Sequence, residues 1–112
     1  PQGFYQWRRD LWTGTVGVEW RGSSRYEIKG VRYESTEKNY YETSDHNPAV
    51  SLFLGEDSDR IQLPGRNIYL LTSVDIRSDE KNFQVTFVRQ IYVNDQLLQR
   101  KEWQETIARQ GQ

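Results

Sequence analysis

Alternation of apolar and polar residues with a period of two is the feature that most limits what this sequence can fold into. In the segment WTGTVGVEW, residues 12–20, one set of alternate positions begins at Trp12, ends at Trp20 and is apolar. The same alternation runs through 67–77, and through 82–93 with Arg89 as the exception. Side chains of a β-strand point alternately to two faces, so this pattern predicts strands with one dry and one wet face.

Clusters of Gly, Pro, Asn, Asp and Ser interrupt the alternation and predict the connections between strands. Turns are expected at 21–24 (RGSS), 55–60 (GEDSDR), 64–65, 78–81 and 94–95, and a loop at 44–48. The alternation changes phase at Gly30, where a β-bulge is expected. Residues 1–11 show no clear periodicity and are predicted to be a lead-in segment.

The last segment, 96–109, has two interpretations. Its good helix formers place Leu97, Leu98 and Lys101 at helical spacing. As a strand, the segment places Leu97, Trp103 and Ile107 on one side. A tight two-residue turn directly before it favours the strand.

Strands separated by polar turns, with no convincing helix in the interior, predict an all-β fold. We expect residues 1–112 to form a single β domain, an antiparallel sandwich or small barrel built on a C-terminal meander. Trp12 and Trp20 are expected to serve mainly as core residues, with Trp103 joining them from the last strand. The chain begins at Pro1 and not at Met, so a longer protein is expected.

The composition argues against several classes of protein. The net charge is −1 and the longest basic run is Arg8-Arg9, so a nucleic-acid partner is not expected. The chain has no Cys, which removes disulfides, thiolate zinc sites and a cysteine nucleophile. No apolar run approaches the ~20 residues of a membrane span. These features leave the cellular compartment open.

Catalytic and metal-binding patterns are weak. The sequence has no Gly-x-Ser-x-Gly motif, and its single histidine, His46, lies in the predicted loop, where a structural role is expected. The acidic segment around Asp57 lacks the glycine and distal glutamate of a calcium-binding loop, which favours a solvated turn. We therefore expect no enzyme activity, no metal site and no cofactor.

Aromatic residues are the only candidates for a binding surface, since flat rings offer large apolar areas with polar tips. The candidate ligand or contact residues are Trp12, Trp20, Tyr40, Tyr41 and Trp103. Tyr40 and Tyr41 are neighbours, so on a strand one ring must face outward.

Arg89 is in phase with apolar neighbours. A buried arginine requires a carboxylate partner, and Asp75 or Glu105 is expected to serve if the neighbouring strands bring one of them close. The alternative is that the end of this strand has left the core at Arg89.

The spacing of Phe83, Tyr92, Trp103, Ile107 and Arg109 resembles the C-terminal end of CocE/NonD-type hydrolases, which are similar to X-Pro dipeptidyl-peptidases and cocaine esterases. The segments RDLWTGTV (9–16) and HNPAVS (46–51) resemble upstream parts of the same region. The sequence departs from the family pattern at two positions, with Gln104 where Asp is common and Ala108 where Pro is common.

In that family the region is a β-rich accessory part, and the catalytic residues lie in a separate α/β-hydrolase domain. The resemblance thus implies a non-catalytic accessory or interaction domain that packs on another domain or chain, and a homo-oligomer is also open. The alternative is a free-standing β-barrel that binds a small apolar ligand or pigment. A barrel requires a closed sheet around a cavity, whereas an interaction domain requires an apolar patch on one face.

Overall fold

The computed structural model describes residues 2–109, which form one seven-stranded antiparallel sheet and no helix. The strands are β1 (Gln2–Asp10), β2 (Thr15–Ile28), β3 (Val31–Ser44), β4 (Ser51–Leu63), β5 (Arg66–Ser78), β6 (Asn82–Val93) and β7 (Gln96–Ala108). Each strand pairs with the next one in the chain, and the sheet is not closed. The all-β antiparallel class and the C-terminal meander are confirmed, and the described residues form a single open layer.

Short turns connect most of the strands and have the backbone geometry that such turns require. Asn94 and Asp95 both have positive φ, at 48° and 66°, as a two-residue type I′ hairpin demands, which confirms the turn expected there. Lys29 and Gly30 also have positive φ and connect β2 to β3. The bulge expected at Gly30 is therefore wrong, because the change of phase there marks a reversal of the chain.

Several strands are longer than the sequence indicates. The turns predicted at 21–24 and 55–60 are wrong, since the two segments lie inside β2 and β4. Both are paired residue by residue with neighbouring strands, for example Gly22 with Glu37 and Asp57 with Thr72. Continuous cross-strand pairing overrides the local preference of Gly, Ser and Asp for turns.

The N-terminal part of the chain also differs from the prediction. Most of the predicted lead-in is β1, which pairs with β2 along its whole length. Pro1 lies outside the described residues. Trp12 lies in the turn between β1 and β2, so the strand predicted to begin there begins at Thr15.

A β-bulge interrupts the pairing of β6 with β7. Ile91 is opposite Gln99 but Tyr92 is opposite Leu97, which leaves Leu98 as the extra residue. The strand interpretation of the last segment is confirmed for Gln96–Ala108. The bulge moves Leu97 to the opposite face from Trp103, so the predicted grouping of these two side chains is wrong.

The register gives the sheet two faces of different chemistry. Residues paired across strands share a face, and so do residues two apart along one strand. The row through Val74 and the row through Ile76 therefore lie on the same side of the sheet. We call this side the apolar face, and we call the side that carries Glu19, Tyr40 and Asp75 the polar face.

The described sheet buries no hydrophobic side chain completely. The chain exposes 8400 Å², whereas a compact protein of this size exposes about 6,500 Å². Its radius of gyration is 17.8 Å, against about 13 Å for a compact domain of this length. A single layer with an uncovered dry face accounts for both differences.

Candidate contact surface

Two neighbouring rows of side chains make up the centre of the apolar face. The register aligns them across all seven strands of the sheet. The rows are Tyr5, Trp20, Asn39, Gly55, Val74, Phe87, Trp103 and Trp7, Val18, Tyr41, Phe53, Ile76, Val85, Glu105. Most of these residues are apolar, so the rows form one continuous hydrophobic surface.

Aromatic side chains on this surface contact one another along the sheet. The ring centroids of Trp20 and Phe53 are 6.2 Å apart, and those of Phe87 and Trp103 are 5.2 Å apart. The ring of Phe53 also covers Gly55, where an added Cβ atom would lie 3.1 Å from the ring. These contacts run within one layer and leave the outward side of the rings uncovered.

The tryptophans do not fill a core, contrary to the sequence-based expectation. Trp12 is 95% exposed in the β1–β2 turn, and Trp103 is 45% exposed on the apolar face. Trp20 is half-buried on the same face. The sequence contains the alternation that places Trp20 and Trp103 on a dry face, but the described residues supply no second layer over them.

The five candidate residues do not form one site. Trp20, Tyr41 and Trp103 lie on the apolar face, Tyr40 lies on the polar face, and Trp12 lies in a turn. Tyr41 is 39% exposed. The sequence analysis missed most of the apolar face, although alternation in 67–77 and 82–93 contains the signal that locates it.

A belt of charged and small residues crosses the apolar face beside the two central rows. The register aligns Gly22, Glu37, Asp57, Thr72, Arg89 and Lys101 in this belt. Asp59 lies in the next row, opposite Leu70. Glu37, Asp57 and Lys101 are exposed, and Arg89 is half-buried.

Arg89 lacks the carboxylate partner expected for it. Its Nη2 donates to Oε1 of Gln99 at 3.4 Å, and its guanidinium lies 5.6 Å from the ring centroid of Trp103. Its Nε is buried without a hydrogen-bond partner. Asp75 is on the polar face, where it accepts two hydrogen bonds from Arg77, so the expected pairing with Arg89 is wrong.

Beyond the belt, the apolar face continues as a second, smaller patch. Tyr26 and Tyr33 stack with ring centroids 4.9 Å apart and planes inclined by 16°. Ile61, Ile68 and Val93 continue the same row across the sheet. The belt thus divides the dry face into two hydrophobic regions.

The polar face carries a network of surface ion pairs and a shallow groove of 520 Å³. The ion pairs on this face are Glu19–Arg21, Arg25–Glu34, Glu27–Arg32, Asp75–Arg77 and Arg100–Glu102. The groove is lined by charges of both signs, including Arg8, Glu19 and Lys38. The groove is open to solvent, and its lining combines these charges with apolar side chains such as Leu54 and Val88.

Tyr40 lies over Gly17 on the polar face, where an added Cβ atom would lie 2.6 Å from the phenol oxygen. Its hydroxyl donates to Oε1 of Glu42 at 2.6 Å. This hydrogen bond, followed by burial and the charge of Glu42, raises the pKa of Tyr40 above its ordinary value of 10.0. The resulting stabilisation is present below pH 10 and is lost as the pH rises through the raised pKa.

We expect Glu42→Gln to lower the pKa of Tyr40, because it removes the negatively charged acceptor that favours the protonated phenol. Absorbance at 295 nm followed against pH measures the ionisation of the seven tyrosines. Tyr40→Phe is the control, and it should remove a component that titrates at high pH. An unchanged tyrosine titration in Glu42→Gln would contradict the role of this hydrogen bond.

The loop after β3 contacts the turn after β1. Arg9 forms an ion pair with Asp45 at 2.6 Å, and the amide of Asp45 donates to the carbonyl of Gly14 at 2.5 Å. His46 is exposed, and its ring lies against Gly14, where it would overlap a Cβ atom. His46 thus lies in the loop after β3, as the sequence predicts, with its ring against the β1–β2 turn.

The acidic segment predicted as a solvated turn is divided between the faces of β4. Glu56 lies on the polar face, whereas Asp57 and Asp59 lie on the apolar face. Within residues 2–109, no three His, Asp or Glu side chains form a group that could hold a metal ion.

The fold and surface define an open, single-layer antiparallel meander with one apolar face. The chain matches no protein-family model, and comparisons with curated proteins and with solved structures give no significant match. The part of the chain that is described contains no helix that could cross a membrane.

Proposed function

We propose that this chain is a non-catalytic β accessory or interaction domain whose apolar face packs against a second protein layer. The observation that supports the proposal is the absence of any fully buried hydrophobic side chain in a sheet that carries two continuous apolar rows. Sheets bury a hydrophobic face against another element, because water makes exposed apolar area unfavourable. Large exposed apolar patches on soluble proteins mark interaction sites.

The resemblance to the C-terminal region of CocE/NonD-type hydrolases supports the same role. In such a protein the sheet would contribute stability or substrate access, and catalysis would belong to another domain. The accessory role requires a contact surface on the sheet, and the apolar face offers one.

A binding site for a small apolar ligand is less well supported. That alternative needs a closed sheet around an apolar cavity, whereas the described strands form an open sheet. The 520 Å³ groove lies on the polar face beside charged side chains.

Tryptophan fluorescence distinguishes the two functions. A variant that keeps Trp103 alone, with Phe at the other three tryptophans, reports on the apolar face. A variant that keeps Trp12 alone is the matched control on the exposed turn. We expect no member of a panel of small apolar ligands to change the Trp103 emission saturably. A saturable change at one ligand per chain, seen at Trp103 and absent at Trp12, would overturn the proposal in favour of ligand binding.

Truncation of Trp103 gives an independent check of its position. Trp103→Ala should lower the free energy of unfolding by no more than about 2 kcal/mol under dilute conditions, because nearly half of the side chain is exposed. Urea denaturation measures this change, and Trp12→Ala is the control with almost no expected effect. A loss of about 3–5 kcal/mol at a concentration where the chain is monomeric would mean a fully buried ring and contradict the contact surface.

A further inference from the structure

Charged residues on the two faces of the sheet differ in how they are paired. Every ion pair that links two strand residues among residues 2–109 lies on the polar face. On the apolar face, Glu37, Asp57, Arg89 and Lys101 of the belt form no ion pair with any described residue, and neither do Asp59 and Glu105. Charges surrounded by hydrophobic rows and left without partners are unfavourable once the face is covered, unless the covering surface supplies opposite charges.

The four charges of the belt are divided by one strand, with the acidic residues on one side of it and the basic residues on the other. The acidic residues Glu37 and Asp57 lie on β3 and β4, and the basic residues Arg89 and Lys101 lie on β6 and β7. All four are in the same register row, with the uncharged Thr72 of β5 between them. The row therefore reads acid, acid, neutral, base, base from β3 to β7.

We propose that the apolar face is covered by the apolar face of a second copy of this chain, related by a two-fold axis that runs along β5. This inference rests on the proposed function, because it names the partner of the same surface. A two-fold axis along β5 exchanges β4 with β6 and β3 with β7. It places Asp57 opposite Arg89 of the second copy and Glu37 opposite Lys101 of the second copy, and each contact occurs twice.

The same operation also brings apolar side chains of the two copies together. Phe87 of one copy is placed opposite Gly55 of the other, where it meets the ring of Phe53 that covers this glycine. Val74 and Ile76 lie on the axis and meet their own counterparts. Facing sheets pack about 10 Å apart, a distance that such side chains fill.

A different position for the axis fits the charges less well. A two-fold axis along β4 would cover all seven strands, but it would place Asp57 opposite Asp57 of the second copy. Like charges in direct opposition disfavour association. Of these two axes, the charge pattern favours the one along β5, and β1 and β2, with Trp7 and Trp20, then extend beyond the partner.

The area of the apolar face agrees with a stable dimer. Each chain exposes about 1,900 Å² more than a compact protein of its size. Covering five of seven strands on each copy would bury roughly 2,700 Å² in total, within the ~2,000–5,000 Å² range of obligate homodimers.

Charge exchange between two separately made chains tests this arrangement. Asp57→Lys places Lys opposite Arg89 of the second copy, and Arg89→Asp places Asp opposite Asp57 of the second copy. In a mixture of the two variants, however, both contacts join opposite charges. Neither chain contains both substitutions, so recovery in the mixture cannot come from contacts within one chain. Lys38→Glu, on the polar face, is the control, and it should not affect association.

Sedimentation velocity over a range of protein concentrations measures the result. We expect the unsubstituted protein to be a dimer, each variant alone to dissociate with a dissociation constant raised at least about 100-fold, and the equimolar mixture to form a heterodimer. Circular dichroism checks that each variant is folded. A monomeric unsubstituted protein, or a dimer that neither variant weakens, would overturn the inference.

Failure of this inference can be separated from failure of the proposed function. A monomer whose Trp103 emission responds to no small ligand rejects the second copy as partner and keeps the interaction role. A saturable ligand response at Trp103 rejects the interaction role itself.

Discussion

Val74→Asp should convert the protein from a dimer to a monomer. Val74 lies on the apolar face of β5, on the proposed two-fold axis, where the two substituted carboxylates would face each other in an apolar setting. Both desolvation and like-charge repulsion oppose that contact, so we expect the dissociation constant to rise by at least about 1,000-fold. Analytical ultracentrifugation measures the change.

Ser73→Asp is the matched control, because Ser73 is the next residue of the same strand and points to the polar face. It adds the same charge and the same low strand propensity, but it should leave association unchanged. Equal dissociation in the two variants would mean that a general weakening of β5 causes the effect, and the apolar face would lose its role.

Gly14→Ala should destabilise the fold by about 2–3 kcal/mol. Gly14 has a φ of +70°, where a side chain costs about 1–2 kcal/mol. The added Cβ atom would also overlap the imidazole of His46, which must then leave its position against the turn. The free energy of unfolding from urea denaturation measures the loss.

Gly30→Ala separates the two causes. Gly30 has a similar φ of +79°, but no atom lies within 4 Å of its added Cβ, so only the conformational cost of about 1 kcal/mol applies. His46→Ala in the Gly14→Ala background should recover the difference between the two glycine variants. Equal losses at Gly14 and Gly30 would show that His46 contributes nothing to the contact.

The sequence predicted the strands best where alternation and turn chemistry agree. Between residues 67 and 93, apolar residues alternate regularly and the Asn94-Asp95 pair tolerates positive φ, so both strands and their dry face could be located. Segments such as 21–24 and 55–60 carry turn-forming residues but lie in strands, because long neighbours pair with them. Pairing between distant segments of the chain is not encoded in local propensity.

The candidate surface was only partly predictable, because alternation is a local pattern and the layer that covers a strand is not. Trp20 and Trp103 follow the alternation, so their common dry face could be expected from the sequence. Trp12 keeps the same period by chance, since the strand starts only at Thr15. Alternation indicates which side of a strand is dry, but it does not say whether a second layer from the same chain covers that side.

The bulge at Leu98 limits how far assembly can proceed. A regular edge strand offers free amide and carbonyl groups to the next molecule, and repeated addition at edges has no natural end. The extra residue breaks that regular spacing in β7, which is one outer strand of the described sheet. Addition of another strand at β7 is therefore disfavoured. Face-to-face contact, by contrast, occupies the apolar face with a single partner. The bulge thus favours face-to-face contact over strand addition at β7.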